Sequence, residues 1–497
     1  MCTPARGHDS RAGSHATLAP VLLVPLTRSR TLAAAVALLG AAPLAAPLVA
    51  QAPPAPAASP LAARYQADAD RIIAAALGDS AAWNRVAELT DTFGARFSGT
   101  PALERSIDWM LARLREDGFA NVRGEPVMVP RWVRGEESAT LVSPRRKPLA
   151  MLGLGGSVGT PAAGITAPVL VVSSFDELAR RAAEAKGKIV LFDVPFTTYG
   201  ETVRYRGGGA TAAAKAGAVA MLLRSVGSYS MNTPHTGGLR YDSTTRRIPA
   251  AAITAEDAMM LRRMQARGQP VQVTLRMQAR TLPDVPSRNV VAELVGRERP
   301  GEVVVLGGHI DSWDVGQGAM DDAGGFVAAW EAMRVLKRLG LQPRRTIRLV
   351  GWTNEENGLR GGRGYRAAHE RELADHVFAM ESDNGAFRPN GMRVVGSDSA
   401  LALVAPIGPL LARIGATAAA RGEGEADIGP LLEAGVPGAG LDVDGSKYFW
   451  FHHTAADTPD KLDPADVARC VATFAVWAHV LADMPERPPH GATQGTR

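Results

Sequence analysis

The hydrophobic pattern changes along the chain and divides it into three regions. Between Ser59 and Gly118, apolar residues recur at three- and four-residue spacings, which is typical of amphipathic helices. From about Val127 to Arg280, short apolar runs separated by glycine and proline predict strands with helical patches between them. From Ser287 onward, predicted strands and helices alternate. Because the helices of the first region have no sheet of their own, we expect them to pack on the third region, which makes the middle region an insertion.

The third region predicts an α/β fold. Alternating strands and helices are typical of a central mixed, largely parallel sheet that is covered by helices on both faces. The middle region predicts an inserted α/β domain of its own, with helical patches such as Phe175–Ala185 and Ala210–Ala216 between its strands. The predicted strands of the third region are Asn289–Leu294, Glu302–Leu306, Thr346–Gly351, His376–Glu381 and Ala439–Leu441, and its predicted helices are Gly324–Leu339 and Pro464–Leu481.

These patterns predict the domain boundaries. The main domain is interrupted once, and both ends of the chain lie outside it. The predicted segments are a signal peptide and N-terminal extension over 1–52, the first part of the main domain over 59–126, the inserted domain over 127–283, the second part of the main domain over 284–485, and a disordered tail over 486–497.

The N-terminal segment has the pattern of an export signal. Arg28 and Arg30 precede the apolar run Leu32–Ala50, and small residues suited to cleavage follow it. Pro43 and Pro47 within the run argue against a stable membrane-spanning helix. We therefore expect a periplasmic or secreted protein without stable membrane insertion after cleavage. The alternative is a retained anchor, because the run approaches the roughly 20 residues that a span requires.

Composition narrows the class of protein. Apolar residues make up 46% and charged residues 21% of the 497 residues, which is typical of a soluble globular protein. The net charge is +5, but the first 52 residues hold four arginines against one aspartate, so the rest of the chain is close to neutral. Without a clustered run of Lys and Arg, nucleic acid is not an expected partner. Only Cys470 remains after signal removal, so the fold has no internal disulfide.

The stretch "VVVLGGHIDSWDVGQGAMDDAGG" holds the first candidate metal ligands. An apolar strand ends at His309, and a glycine-containing loop then leads to Asp321 and Asp322 at the start of a helix. Imidazole and carboxylate groups at these positions are suited to a metal site. Asp311 is expected to orient the His309 imidazole, since a ligating histidine usually donates its second N–H to a carboxylate. The alternative is that these polar residues only cap a loop.

Two further strands also end in acidic residues. "RTIRLVGWTNEENG" ends in Glu355 and Glu356, and "HVFAMESDNG" ends in Glu381 and Asp383. Converging carboxylates repel one another unless cations neutralise them, which favours a metal centre over three unrelated acidic turns. Of a paired Glu355 and Glu356, one can bind metal while the other acts as a general base.

The last motif, "KYFWFHHTAADTPDKLD", adds two histidines. Spacing alone does not decide whether His452 or His453 is the ligand. The aromatic run Tyr448–Phe451 lines a pocket, forms a buried strand or is part of a subunit contact. Oxygen and imidazole donors without thiolates favour zinc, with manganese or cobalt as substitutes. The donors suffice for two ions about 3.5–4 Å apart that share one carboxylate and hold a hydroxide between them.

The four motifs "GGHIDSWDVGQGAMDDAGG", "WTNEENG", "MESDNG" and "FHHTAADT" together resemble metallopeptidase family 28, the co-catalytic zinc exopeptidases. The resemblance spans essentially the whole mature chain and implies a zinc-exopeptidase (phosphorylase/hydrolase-like) domain with an inserted protease-associated domain. It also implies two zinc ions per chain. Carried onto this sequence, His309 and Asp383 bind one zinc, Glu356 and His453 bind the other, and Asp321 bridges both. Glu355 becomes the general base.

The resemblance implies an aminopeptidase or dipeptidase that hydrolyses short peptides, and it allows a homodimer. Two other functions remain open at this stage. One is a non-catalytic binding protein of the same fold, in which the acidic loops are vestigial. The other is a different amidohydrolase, acting on N-acyl amino acids or as a glutaminyl cyclase with a single zinc.

Overall fold

The computed structural model describes residues 60–491. The predicted signal peptide over 1–52 and residues 492–497 of the predicted tail lie outside the described residues. Residues 486–491 follow the main domain without regular secondary structure, yet they contact it: the Gly491 N–H donates to the Gly435 carbonyl, and His490 Nε2 donates to the His376 carbonyl.

The helices of the described part differ widely in length. Several begin with a side-chain cap: Thr100 accepts from the N–H of Leu103, and Asp463 accepts from the N–H of Ala465. The helices are α1 (Pro60–Leu77), α2 (Ala81–Phe93), α3 (Pro101–Glu116), α4 (Phe175–Arg180), α5 (Ala182–Ala185), α6 (Tyr199–Lys215), α7 (Ala255–Ala266), α8 (Gly324–Arg338), α9 (Arg360–Ala368), α10 (Asp398–Val404), α11 (Gly429–Glu433), α12 (Tyr448–Phe451) and α13 (Pro464–Asp483). Short 3-10 turns cover Glu370–Asp375, Ala405–Ile414, Gly445–Lys447 and Pro459–Lys461.

The strands within residues 60–491 form two separate eight-stranded sheets. The strands are β1 (Ala120–Val133), β2 (Glu137–Ser143), β3 (Lys147–Leu149), β4 (Met151–Gly153), β5 (Ile165–Val172), β6 (Ile189–Phe192), β7 (Ala220–Arg224), β8 (Ala250–Ile253), β9 (Gln272–Met277), β10 (Arg280–Leu294), β11 (Arg299–His309), β12 (Arg345–Trp352), β13 (His376–Glu381), β14 (Pro389–Val395), β15 (Ala418–Arg421) and β16 (Gly438–Val443).

The main sheet is mixed, with a parallel centre. Its order is β1-β10-β12-β11-β13-β16-β14-β15, and the four central strands β12, β11, β13 and β16 run parallel. Because parallel strands end at the same edge of a sheet, the segments that follow β11, β12, β13 and β16 converge there. His309, for example, ends β11 directly beside Trp352, the last residue of β12.

Both faces of the main sheet are buried. Val304 and Leu306 of β11 pack into the larger core with α1, α2, α3, α8 and α13, whereas Val303 and Val305 face the opposite core with α9 and α11. This alternation confirms the predicted sheet with helices on both faces. Helix α13 is long and apolar enough to cross a membrane, but 83% of its most apolar window is buried inside the fold, as in the core helix of a globular domain.

The second sheet contains only strands from the middle of the chain. Its order is β3-β2-β9-β5-β6-β7-β8-β4, and α7 covers one face while α4 and α6 cover the other. The helical patch predicted over Phe175–Ala185 forms two short helices, because the backbone of Arg181 leaves the helical conformation, and the patch predicted over Ala210–Ala216 forms the end of α6. The aromatic run Tyr448–Phe451 forms the short helix α12 rather than a buried strand.

Candidate metal centre

The candidate site lies at the carboxyl edge of the main sheet. His309 ends β11, Glu356 follows β12, and Asp383 follows β13. Asp321 lies in the turn Ala319–Ala323 that leads into α8, and His453 follows α12. The structure thus brings all five sequence-predicted ligands to the same edge of the sheet.

One group of donors surrounds His309. Its Nε2 atom lies 3.1 Å from Asp321 Oδ1 and 3.2 Å from Asp383 Oδ1. The ligand atoms of these three residues all lie within 4.8 Å of one another, close enough to share a metal ion.

A second group surrounds His453. Its Nε2 atom lies 3.0 Å from Glu356 Oε2 and 3.3 Å from Asp321 Oδ2. The other oxygen of Glu356 accepts the N–H of Trp313 at 3.1 Å. Asp321 therefore presents one carboxylate oxygen to each histidine, which is the arrangement of a bridging carboxylate.

The histidine doublet lies with both rings near Asp321. The imidazoles of His452 and His453 are stacked, with centroids 3.5 Å apart, and His452 Nε2 is 3.7 Å from Asp321 Oδ2. Of the two contacts to Asp321, that of His453 is shorter. His453 also approaches Glu356, so its position corresponds better to a ligand of the second group.

The orientation of His309 differs in detail from the expected one. Its Nδ1 atom lies 3.0 Å from the backbone carbonyl oxygen of Asp311 but 3.9 Å from the Asp311 carboxylate. That carboxylate accepts the N–H of Glu355 at 3.0 Å and the hydroxyl of Ser98 at 3.2 Å. Asp311 therefore orients the imidazole through its main chain and the Glu355 backbone through its side chain.

Asp457 holds the turn that carries Asp321, a role that sequence reasoning missed. Its carboxylate accepts the N–H groups of Ala319 at 3.0 Å, Met320 at 2.8 Å and Asp321 at 3.3 Å. The close approach of this turn to β11 also depends on Gly308, where an added Cβ would lie 2.2 Å from Asp322 Oδ2. The Asp321–Asp322 peptide bond is cis.

Glu381 supports the site from a neighbouring position. Its buried carboxylate accepts the N–H groups of Asp427 at 3.3 Å and Ile428 at 2.9 Å. Of the two acids at the end of β13, only Asp383 has a contact with His309.

Known families match both parts of this fold. The model of peptidase family M28 matches residues 289–478, and the PA domain model matches residues 153–261. Carboxypeptidase Q of Xenopus laevis is 50% identical over 407 residues, which cover 82% of this chain and 87% of that protein. The chain belongs to peptidase family M28.

Solved M28 structures share the fold. The crystal structure of a peptidase M28 precursor from Shewanella amazonensis is 35% identical, with a TM-score of 0.82, and covers 86% of this chain and 99% of that one. A zinc aminopeptidase from Bacillus subtilis has the same fold at 21% identity, with a TM-score of 0.61 over 82% of this chain and 95% of that one. The chain is accordingly a zinc-dependent exopeptidase with a PA domain, and the non-catalytic and amidohydrolase alternatives are not favoured.

The M28 site holds more negative charge than its own side chains neutralise. Burial, together with the Asp383 carboxylate, raises the pKa of Glu355 well above its ordinary value, and burial with Asp321 does the same for Glu356. Burial alone would lower the pKa of His309, but its contacts with Asp321 and Asp383 raise it well above the ordinary value. A cation among these groups reverses the carboxylate shifts.

The arrangement of donor atoms around His309 fits a zinc ion. Since the Asp311 carbonyl can only accept, His309 carries a proton on Nδ1 and directs Nε2 at two carboxylate oxygens. A lone pair at Nε2 would face those negative oxygens, so either a proton or a metal ion must lie between them. Imidazole nitrogen with carboxylate oxygens is a donor set that zinc prefers, and binding would displace the proton.

A cavity of about 370 Å³ opens onto these groups. Glu355 and Glu356 line it from the main domain, and Tyr199 and Arg206 of α6 line it from the PA domain. Within residues 60–491, the Glu355 carboxylate makes no hydrogen bond. It is therefore available to exchange a proton with a molecule in the cavity.

The PA domain contacts the histidine doublet directly. His235 Nδ1 donates to the carbonyl of His452 at 2.8 Å, and the N–H of Thr236 donates to the carbonyl of His453 at 2.9 Å. Arg206 Nη1 lies 3.4 Å from His453 Nδ1. The inserted domain thus helps to position a segment of the M28 site.

Proposed function

We propose that the chain binds two zinc ions and uses them to release the N-terminal residue of short peptides, including dipeptides. His309 and Asp383 would hold one ion, Glu356 and His453 the other, and Asp321 would bridge them. The observation that carries the proposal is the divided Asp321 carboxylate, with one oxygen 3.1 Å from His309 and the other 3.3 Å from His453. Manganese or cobalt would substitute for zinc at the same donors.

In this proposal Glu355 is the general base. Zinc, when bound, would supply the Lewis acid that polarises the peptide carbonyl and acidifies water. Glu355 would take a proton from the attacking water and return it to the leaving amine. The hydrogen bond from its N–H to Asp311 Oδ1, at 3.0 Å, fixes its backbone while its carboxylate stays free.

Export and domain division belong to the same proposal. The positive residues, apolar run and small residues within 1–52 favour a cleaved secretory signal, so the peptides would be hydrolysed outside the cytoplasm. N-terminal sequencing of the mature protein tests this, and a mature chain beginning at Met1 would contradict it. The two separate sheets support a main domain with one insertion, although β1 runs to Val133 and β10 begins at Arg280, so the main sheet extends past the predicted boundaries of 59–126, 127–283 and 284–485. The homodimer stays a prediction.

The function is tested with the purified chain and a mixed library of dipeptides and longer peptides. Removing metal with a chelator should abolish hydrolysis, and adding zinc should restore it. Mass spectrometry should find free amino acids released from N-termini, and N-acetylated peptides should be resistant. Hydrolysis that survives complete metal removal, or cleavage inside peptides, would overturn the proposal.

A further inference from the structure

A second cavity adjoins the metal centre. It has a volume of about 890 Å³ and lies between α6 and the loop around Arg240 on the PA-domain side, and α9 with the segment after β12 on the main-domain side. Arg206 and Glu356 line both this cavity and the metal-centre cavity. The two cavities are therefore neighbours on either side of these two side chains, and a peptide that extends from the metals past Arg206 would enter the larger one.

The lining of the larger cavity is strongly cationic. Glu356, a proposed zinc ligand, is the single carboxylate among its described lining residues. The guanidinium groups come from both domains and face the same space. They belong to Arg204, Arg206, Arg240, Arg360 and Arg363. We name this cavity the arginine cleft.

Most of these arginines keep unused donors. Arg204 and Arg360 have exposed ion pairs, at 4.0 Å to Glu201 and 3.2 Å to Asp284. Surface pairs of this kind contribute little and are readily exchanged. Among the described residues, the Arg363 guanidinium donates only to the carbonyl of Gly358, at 3.2 Å.

Two arginines have donors without any acceptor. In the described part of the chain, the Arg240 guanidinium has no hydrogen bond or ion pair. Arg206 is buried, and its Nε has no acceptor. Since a buried N–H without an acceptor is unfavourable, the cleft is suited to a ligand that brings acceptors.

The metal-centre cavity has the opposite charge. Besides the ligands, its lining includes the carboxyl groups of Glu355 and Glu425, and Glu425 accepts a hydrogen bond from Asn384 at 2.9 Å. A peptide has an ammonium group at one end and a carboxylate at the other. Charge complementarity directs the amino end to the metal centre and the carboxyl end to the arginine cleft.

We propose that the arginine cleft binds the carboxylate groups of a peptide beyond its scissile bond, so that peptides with acidic residues there are preferred substrates. Arginine suits this role because its planar fork of donors binds a carboxylate through two parallel hydrogen bonds. This inference rests on the proposed function, because it places the scissile bond at the metals.

The test compares matched peptides on the zinc-loaded full-length chain. Ala-Ala-Glu-Glu and Ala-Ala-Gln-Gln have nearly the same shape and differ in side-chain charge, and the C-terminal amide of each removes the terminal carboxylate. The variants are Arg240→Gln, Arg363→Gln and the double substitution. Arg263→Gln, on an exposed position of α7 outside both cavities, is the matched control.

The wild-type chain should favour the acidic peptide by at least about tenfold in kcat/KM, mainly through a lower KM. In the double variant this ratio should fall below about threefold, while Arg263→Gln keeps the wild-type ratio. The amides separate the two carboxylate sources, since the loss of kcat/KM on amidation of each peptide measures the terminal carboxylate, whereas the ratio between acidic and neutral peptides measures the side chains.

Two results would overturn the inference. One is a wild-type chain that shows no preference, and the other is a double variant whose preference equals that of wild type. In either case zinc-dependent hydrolysis of the neutral peptide would leave the proposed function standing. If the zinc-loaded wild-type chain hydrolysed none of the four peptides, the proposed function would fail together with the cleft.

Discussion

At the scale of single residues, metal binding and proton transfer are proposed for different side chains. The five proposed ligands contact one another through their donor atoms, whereas the carboxylate of the neighbouring Glu355 has no hydrogen bond to any residue between 60 and 491. The Glu355 N–H donates to Asp311, so the backbone from which this side chain enters the cavity is held in place. A free carboxylate on a fixed backbone is what a general base requires.

Replacing this base should impair turnover and leave the metal in place. For Glu355→Ala we expect unchanged zinc content and a kcat lower by about 10²- to 10⁴-fold, the usual contribution of a general base. Discontinuous assays of dipeptide hydrolysis measure kcat, and metal analysis measures the zinc content. Glu423→Ala removes an exposed carboxylate from a nearby loop and should behave as wild type. Near-normal turnover by Glu355→Ala would reject the assigned role.

Sequence motifs predicted the proposed metal ligands but not the residues that hold those ligands in position. His309, Asp321 and Asp383 follow strands or open a helix, so their convergence follows from the topology of a parallel sheet. Asp457 and the Asp311 side chain act instead through backbone N–H groups that are remote in sequence. No spacing rule connects such partners, so only the folded chain reveals them.

At the scale of elements, the turn Ala319–Ala323 is held by a side chain from another part of the chain. It carries Asp321 between β11 and α8, and its first three N–H groups donate to the single carboxylate of Asp457. Burial and the nearby Asp321 raise the pKa of Asp457 to about 7. The turn is therefore held by a group whose loss would leave buried donors unsatisfied.

Removing this support should weaken metal binding without removing a ligand. For Asp457→Ala we expect zinc affinity to fall by about 10- to 100-fold, the usual effect of losing a group that orients ligands. Competition with a chromophoric chelator measures the affinity, and circular dichroism checks the fold. The matched control is Asp460→Ala, since the Asp460 side chain is 71% exposed. Equal zinc affinities for the two variants would contradict the role of Asp457.

Strand boundaries show where element prediction fails. The pattern predicted a strand over Asn289–Leu294, but β10 begins at Arg280 and includes Pro283 and Pro286. Proline usually excludes a strand because it lacks an N–H. Here β12 pairs only with the end of β10, from Val290 onward, so the prolines lie where β10 has one neighbour and needs fewer donors.

At the scale of the whole molecule, buried polar networks make the fold sensitive to pH. His376 begins β13, with Nδ1 2.9 Å from the Glu372 carbonyl and Nε2 3.0 Å from the Tyr365 hydroxyl. Arg348 donates to the same hydroxyl at 3.0 Å, so the hydroxyl donates to Nε2 and the histidine is neutral. Burial lowers the pKa of His376 to about 4.

In acid, His376 should lower the stability of the metal-free chain, whereas Glu355 and Glu356, whose pKa values are raised, act in the opposite direction. Below pH 6.5 the unfolded chain takes up a proton on His376 that the folded chain refuses until about pH 4, so the contribution of His376 to stability falls as pH drops through this window. The contribution is up to about 3 kcal/mol. Urea unfolding at pH 7 and 4.5, with chelator, should show a change in unfolding free energy that is less unfavourable for His376→Gln than for wild type. Equal changes in the two proteins would contradict this account.

The contact between the main domain and the PA domain also belongs to the scale of the whole molecule. Within the chain, His235 and Thr236 lie more than two hundred residues from the doublet they contact. The sequence predicted an insertion and a metal site, but hydrophobic periodicity carries no information about which loop of one domain meets which loop of another.

The central claim is that His309, Asp321, Glu356, Asp383 and His453 together hold a pair of zinc ions. It is tested most directly by counting zinc per chain with plasma mass spectrometry, after dialysis of the purified protein against zinc buffered at low free concentration. The account predicts two ions per chain for wild type and fewer than two for Asp321→Ala. One ion or none in the wild-type protein would contradict it.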